Sequence, residues 1–257
     1  MHATTTDRSC PDLTGTRVVV TGASRGLGRA MAVALASAGA AVAITGRDED
    51  ALQATRAAIA ETGGEASVHA LDVTDHDAQR AFAAEVWAQG PVDAVIANAG
   101  ISITQSSLET THADFSRILE TNVLGTFATL QSFAARMLER GSGKLITVSS
   151  DIGLRGSAGW AAYGASKAAV VNMTKTLAWE WAPALTVNSI APGAFATDIN
   201  SHLLAVPEVA AGLAEATPLG RVGESSEIGP LAVFLCSRGS DFMTGQVLSI
   251  DGGIQRS

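Results

Sequence analysis

Along the chain, short apolar runs rich in β-branched residues alternate with longer stretches whose apolar positions recur at helical spacing. Residues 16–21 (TRVVVT) read as a buried strand that leads into a helix over 26–38. A second strand falls at 41–45, followed by a helix over 48–62 with Asp48 as its N-cap. The same alternation predicts strands at 67–71, 92–97 and 144–149, with helices over 75–88 and 111–140, the latter broken near 122–125. A long helix over 161–182, a strand at 186–191, an irregular stretch, a helix near 225–237 and a last strand at 246–250 complete the pattern.

Strands of this length, each bounded by helices, imply right-handed crossovers and a parallel sheet covered on both faces. The expected fold class is therefore α/β: a single-domain, Rossmann-type, doubly wound sheet of seven parallel strands with helices on both faces. In such a sheet ligands bind beyond the carboxyl ends of the strands, where the strand order reverses. That places the chemistry at the ends of strands one, four, five and six. Residues 1–14 read as a polar leader and 15–257 as one domain, because no linker, repeat or low-complexity tract interrupts them.

Composition narrows the partners more than the fold. With 47% hydrophobic and 16% charged residues, the 257-residue chain can bury a substantial core and is not disordered. A formal charge of −8 argues against a nucleic-acid partner, which needs a dense Lys/Arg footprint. No apolar run reaches the ~18 residues of a membrane helix. The leader lacks the apolar segment of a secretion signal, so the expected compartment is the cytoplasm, with no membrane partner. Cys10 and Cys236 form no disulfide framework or metal cluster, and His2, His69, His76, His112 and His202 show no ligand spacing. No metal is expected.

The first candidate chemistry sits where strand one ends, at Thr21-Gly22-Ala23-Ser24-Arg25-Gly26-Leu27-Gly28. Gly22 permits a tight turn, Gly26 lets the backbone approach a pyrophosphate, and Gly28 lets the helix pack closely on the sheet. A helix N-terminus at this point favours an anion. The spacing is G-x-x-x-G-x-G, and its position between a strand and a helix is what makes it a dinucleotide-binding signal. Strand two ends in Arg47 with no carboxylate before Asp48, so Arg47 and Arg25 could clamp a 2′-phosphate by bidentate bonds. That points to NADP(H) in place of NAD(H), unless the arginines are solvated or paired with Asp48 or Glu49.

The second is the stretch SAGWAAYGASK at 157–167. Tyr163 is the only tyrosine in the chain, and Lys167 shares its helix face at i+4. A free phenol has a pKa of ~10. An adjacent ammonium, together with the charge of an oxidised nicotinamide, is expected to lower it toward neutrality. Ser150, at the end of strand five, can donate to a substrate oxygen, although serine there also caps helices. Asn122 falls mid-helix, where its amide competes with the backbone. It either opens the helix to a water joined to Lys167 or marks a helix boundary near Gly125.

Together these residues resemble the short-chain dehydrogenase/reductase family, over about residues 13–253. The motifs, in order, are Thr21 to Gly28, Asp72-Val73, Asn98-Ala99-Gly100, Asn122, Ser150, Tyr163, Lys167, Pro192-Gly193 with Thr197, and Gly245-Gln246 with Asp251-Gly252-Gly253. The resemblance implies a catalytic tetrad of Asn122, Ser150, Tyr163 and Lys167. Tyr163 would be the acid/base, Ser150 would polarise the carbonyl, Lys167 would also hold the nicotinamide ribose, and Asn122 would hold a relay water. Asp72 and Val73 would contact adenine, Asn98 would stabilise the central sheet, and Ala99 and Gly100 would lie along the cofactor. Pro192, Gly193 and Thr197 would flank the nicotinamide. A homotetramer is implied as well. The chain departs from the family pattern at Ala97, at the shortened 183–185 turn, and at Asp151, a carboxylate directly after Ser150 that could tune the site or bind a polyol hydroxyl.

Substrate selection is expected from the 153–160 loop, including Trp160, and from an irregular lid over 193–216 containing Phe195, Ile199, Leu203, Leu204 and Val206. Arg155, the one cation near Ser150, either binds a substrate carboxylate or faces solvent. The patterns around Glu180-Trp181-Ala182 and Thr197-Asp198 resemble members acting on sugar acids, such as gluconate dehydrogenases, and the whole equally resembles 3-oxoacyl-carrier-protein reductases. The helix after Lys167 is apolar on more than one face, as expected of a helix buried against a second subunit. Three alternatives stand beside an NADP(H)-dependent carbonyl reductase or alcohol dehydrogenase: an NAD-dependent alcohol or sugar dehydrogenase, a catalytically silent NADP(H) sensor or scaffold, and an epimerase or dehydratase, which the lack of a long segment after Gly193 disfavours.

Overall fold

The computed structural model describes residues 11–197 and 207–254. Seven strands form one parallel sheet: β1 (Arg17–Thr21), β2 (Ala41–Gly46), β3 (Glu65–Ala70), β4 (Ala94–Ala97), β5 (Gly143–Val148), β6 (Leu185–Pro192) and, last in the chain, β9 (Val247–Ile250). Their order across the sheet is β3-β2-β1-β4-β5-β6-β9, so the chain winds one way from β1 and then restarts on its other side at β4. The crevice between β1 and β4 is the reversal point, and it lies between two of the four strand ends (one, four, five and six) at which the chemistry was expected. Two-residue strands β7 (Phe195–Ala196) and β8 (Gly223–Glu224) pair separately.

The period of two along each strand decides which residues meet which layer of helices. Val18, Val20, Ile44, Ile96 and Ile146 face one core with Met31 and Leu35 of α1 (Gly26–Ser37), Leu52 and Ile59 of α2 (Glu49–Glu61), and Val233 and Leu235 of α8 (Gly229–Cys236). Val19, Ala43, Val95, Leu145 and Val187 face the other core. There they meet Phe82 and Val86 of α3 (His76–Ala88), Leu130, Phe133 and Met137 of α5 (Gly125–Arg140), and Leu177 and Ala178 of α6 (Ala161–Trp181). Asp48 caps α2 as expected, its carboxylate accepting from the Ala51 amide at 3.0 Å.

Three elements differ from the sequence pattern. The 111–140 helix is α4 (His112–Leu119), a π-helical turn over Glu120–Leu124 and then α5, so the break near Asn122 is a widened turn and the chain stays helical. The stretch expected to be irregular contains α7 (Pro207–Ala216). Within that expected lid, residues 198–206, including Ile199, Leu203, Leu204 and Val206, lie outside the described residues, as do Cys10, His2 and His202. The 225–237 helix begins as a 3-10 turn over Ser225–Ile228 before α8, because Glu224 and Glu227 form a reciprocal capping box there. No helix among the described residues is long and apolar enough to cross a membrane. The helix expected to lack a polar face buries one side on the sheet, while Trp179 on its other side is 88% exposed.

Candidate active site

The turn from β1 into α1 forms a cradle whose shape depends on missing side chains. Gly22 has φ +66°, in the left-handed region, and a Cβ there would stand 2.7 Å from Ala99 Cα. A Cβ on Gly28 would stand 2.2 Å from the Gly22 carbonyl oxygen and 2.5 Å from Asn98 Nδ2. Asn98 fixes the contact from the β4 side: Nδ2 donates to the Thr21 carbonyl at 2.9 Å and to the Gly22 carbonyl at 3.1 Å. The Thr21 hydroxyl accepts the backbone amides of Asn98 and Ala99, both at 3.1 Å. Sequence reasoning missed Thr21 in this role; its position at the last residue of β1, buried among apolar neighbours, is the signal.

At the start of α1, Arg25 is the N-cap residue but makes no side-chain cap bond, and the first turn carries no acid. The first amides of the helix are thus left for an anion. Leu27 is half-buried against the core and holds the turn down. Thr197 faces the opening, since a Cβ on Gly26 would meet Thr197 Cβ at 3.6 Å. Gly193 donates its amide to the Ile250 carbonyl at 3.0 Å and so ties the segment after Pro192 to the neighbouring strand. The glycine cradle and the uncapped helix end fit a dinucleotide pyrophosphate.

Arg25 and Arg47 are both exposed. Arg47 Nη1 lies 3.9 Å from Asp72 Oδ2, while Asp72 Oδ1 also accepts from the Thr74 amide and hydroxyl. The sequence had set Asp48 and Glu49 as possible partners of Arg47; the ion pair is with Asp72 instead, because strands β2 and β3 run in register there. Val73 is buried against the start of α5, where a Cβ on Gly125 would meet it at 2.8 Å.

Helix α6, the end of β5 and the π-helical turn bring the four expected catalytic side chains together. Lys167 Nζ lies 5.7 Å from the centre of the Tyr163 ring, as i and i+4 residues on one face should. It donates to the Val148 carbonyl at 2.8 Å. A Cβ on Gly100 would lie 3.4 Å from Lys167 Nζ and 3.1 Å from Asn122 Oδ1, so the three residues border one space. Asn122 is fully buried. Its Oδ1 accepts from the Ile101 amide at 2.8 Å, and its Nδ2 donates to the Ile101 carbonyl at 2.9 Å and to Ser166 Oγ at 3.0 Å. Ser166 in turn donates to the Tyr163 carbonyl at 2.7 Å. That hydroxyl, unremarked in the sequence, joins the π-helical turn to the helix bearing Tyr163 and Lys167.

Tyr163 packs edge-on against Trp160, with 5.4 Å between ring centres. Burial pushes its pKa up to about 12, opposed by a hydrogen bond with Ser150 and reinforced by the Asp151 charge. Burial likewise pulls Lys167 down to about 8. In the protein alone burial dominates the acidity of the phenol, and the expected lowering rests on the nicotinamide charge acting together with the ammonium. Desolvation penalises both charged forms, and the ammonium is turned to the Val148 carbonyl.

Around Ser150 a second correction arises. Arg155 is neither free nor simply solvent-facing: its Nε and Nη2 donate to Asp151 Oδ2 at 3.1 and 2.7 Å. The four-residue spacing across a short 3-10 turn (Asp151–Gly153) and the bend that follows brings the two together. Ser150 Oγ donates to Asp151 Oδ1 at 3.1 Å and accepts the Ile152 amide at 3.2 Å. Among the described residues no group of three or more His, Cys, Asp or Glu side chains is placed to hold a metal.

A family model described as enoyl-(acyl carrier protein) reductase matches residues 22–255. The chain belongs to the short-chain dehydrogenase/reductase family. The fold and the joint occurrence of the motifs above now stand within that family. The chain is 41% identical over 251 residues to a gluconate 5-dehydrogenase of Gluconobacter oxydans (strain 621H), covering 96% of this chain and 98% of that protein. It is 34% identical over 164 residues to a 3-oxoacyl-acyl-carrier-protein reductase of Aquifex aeolicus (strain VF5), covering 63% of this chain and 65% of that protein. Among solved structures, a gluconate 5-dehydrogenase from Burkholderia cenocepacia J2315, in complex with NADP and tartrate, superposes with a TM-score of 0.90. It is 34% identical and covers 95% of this chain and 97% of its own. This short-chain dehydrogenase/reductase is thus an oxidoreductase acting on hydroxyl and keto groups.

Proposed function

We propose that this oxidoreductase uses NADP(H) to interconvert a secondary alcohol and a ketone of a polyhydroxy carboxylate, with Tyr163 as the acid/base. The observation that carries the reading is the lone phenol, the ammonium of Lys167 and the hydroxyl of Ser150 converging beside the glycine cradle. When bound, the cofactor would supply the hydride to the carbonyl carbon in reduction and would take it up in oxidation, its oxidised form adding a positive charge to the pocket. Tyr163 gives its proton to the carbonyl oxygen. Ser150 holds that oxygen, and Lys167 fixes the site's positive charge and the cofactor ribose. Asn122 borders the Lys167 side of the pocket, along which a water restores the proton. With the phenol near 12 and the ammonium near 8, both are protonated at neutral pH, the state that carbonyl reduction requires.

Gly22, Ser24, Gly26, Leu27 and Gly28 would hold the pyrophosphate, Asn98, Ala99 and Gly100 the cofactor's flank, Asp72 and Val73 the adenine, and Pro192, Gly193 and Thr197 the nicotinamide. Arg25 and Arg47 would take the 2′-phosphate. Among the described residues Arg47 keeps only a long, exposed contact with Asp72, worth little in water and readily exchanged for a phosphate. Arg47→Asp is expected to lower kcat/KM for NADPH at least tenfold and to raise it for NADH; steady-state titration with both cofactors checks this, and an unchanged ratio would remove Arg47 from the site.

The sugar-acid reading is favoured over a 3-oxoacyl substrate by the likeness to the Gluconobacter protein over almost its whole length and by the polar Asp151–Arg155 wall beside Ser150. The protein is expected to oxidise D-gluconate with NADP⁺ and to reduce 5-keto-D-gluconate with NADPH at least tenfold more efficiently than a 3-oxoacyl thioester. Preference for the thioester would overturn the reading. We further infer a cytoplasmic homotetramer; exposed Leu124, Phe127 and Trp179 on neighbouring helical segments support self-association.

A further inference from the structure

Asp151 stands where the proposed reaction gains nothing from a negative charge. Its carboxylate is buried, opposes ionisation of Tyr163, and takes the hydrogen of Ser150 Oγ at 3.1 Å. Ser150 has one hydrogen, and both Asp151 Oδ1 and the Tyr163 oxygen draw on it, so the donor needed at the reacting oxygen is not free. Arg155 explains how the carboxylate can be buried: both its contacts fall on Oδ2, and its side chain is 34% exposed against 6% for Asp151. Oδ2 is therefore occupied, while Oδ1 carries only the Ser150 bond among the described residues. A carboxylate oxygen offers two lone-pair sites, so Oδ1 has room for one more donor next to the hydroxyl that would meet the reacting oxygen.

We propose that Asp151 Oδ1 accepts a hydrogen bond from the substrate hydroxyl on the carbon adjoining the reacting one, so that the site selects vicinal diols and α-hydroxy ketones. The inference rests on the sugar-acid reading and names the feature of the substrate that is read. The 3.1 Å between Ser150 Oγ and Asp151 Oδ1 suits two oxygens on neighbouring carbons, one meeting each group. The incoming hydroxyl takes over as donor at Oδ1, and the Ser150 hydrogen turns to the reacting oxygen. A substrate lacking that hydroxyl displaces solvent from the carboxylate without replacing its donor, and it leaves Ser150 bound to Asp151. Sites built to bind a hydroxyl reject the analogue without it strongly, because their buried polar groups are left unpaired.

The test compares D-gluconate with 4-deoxy-D-gluconate and 6-deoxy-D-gluconate, the analogues lacking a hydroxyl beside carbon 5, in the full-length protein and in Asp151→Ala and Asp151→Asn. In the wild type, one analogue is expected to have a kcat/KM at least tenfold below that of gluconate, and in both variants that gap closes to within a few fold. A role in folding alone would lower kcat/KM for all three substrates in proportion and leave the ratios unmoved. The near-isosteric Asn variant keeps the test decisive if the Ala variant fails to fold. Wild-type ratios near one, or ratios unchanged in the variants, overturn this inference while leaving the gluconate reading intact. Failure of the wild type to oxidise gluconate at all overturns both.

Discussion

Replacing Tyr163 by phenylalanine is expected to lower kcat at least about a thousandfold, the upper part of the range for removing a general acid, while NADPH affinity stays within a few fold. The substitution deletes one oxygen and keeps the ring, its edge contact with Trp160 and the helix beneath it. The neighbours are poorer donors: the Lys167 ammonium is turned to the Val148 carbonyl, and the Ser150 hydroxyl is a much weaker acid than a phenol. The raised pKa of the phenol contributes nothing to stability at neutral pH, because the hydroxyl is protonated there in the folded and unfolded chain alike. Melting temperature should therefore change little. Steady-state kinetics with a fluorescence titration of NADPH separate the two effects. A variant retaining a tenth of the wild-type rate would remove Tyr163 from the chemistry.

The second large effect is expected at Gly28, and it is steric. An alanine Cβ would stand 2.2 Å from the Gly22 carbonyl oxygen and 2.5 Å from Asn98 Nδ2. The carbonyl is backbone, and the amide is pinned by two hydrogen bonds, so neither neighbour can move cheaply. Overpacking of this kind typically costs 1–3 kcal/mol and sometimes more. We expect Gly28→Ala to lie at or above ~3 kcal/mol, which lowers Tm by roughly 6–12 °C in a chain of this size. NADPH affinity should fall at least tenfold as well, since α1 must back away from β1 and widen the cradle. Gly212→Ala serves as the control: nothing lies within 4 Å of the added methyl in helix α7, and Tm should hold or rise. Equal melting temperatures for Gly28→Ala and the wild type would refute the close-packed cradle.

Much of this was legible from local pattern. The β-branched runs placed all seven strands of the sheet, and the spacing of Tyr163 and Lys167 put them on one helical face, because strand and helix periods depend only on backbone geometry. Asn122 was recognised as unusual within a helix, and the helix widens into a π turn there without ending. Helix α7 was not legible, because small residues such as Ala210, Ala211 and Ala214 give it little apolar contrast. Arg155 was misjudged for a different reason: its partner depends on how the turn after Ser150 folds back, which residue identity does not reveal. The roles of Ser166 and Thr21 were harder to read, because the bonds of a small hydroxyl show only once its partners are in place.

Sequence by itself determined the alternation of strands and helices, the glycine turn, and the pairing of one phenol with one ammonium, since each follows from residue types at short spacing. Only the tertiary structure decided the protonation of that pair and the commitments of Ser150, Asp151 and Arg155. Desolvation and hydrogen bonding are set by everything packed around a group, much of it from distant parts of the chain. The Val148 carbonyl that accepts the lysine's hydrogen bond lies 19 residues away in sequence, and burial is the largest influence on the acidity of the phenol, with the Asp151 charge acting in the same direction.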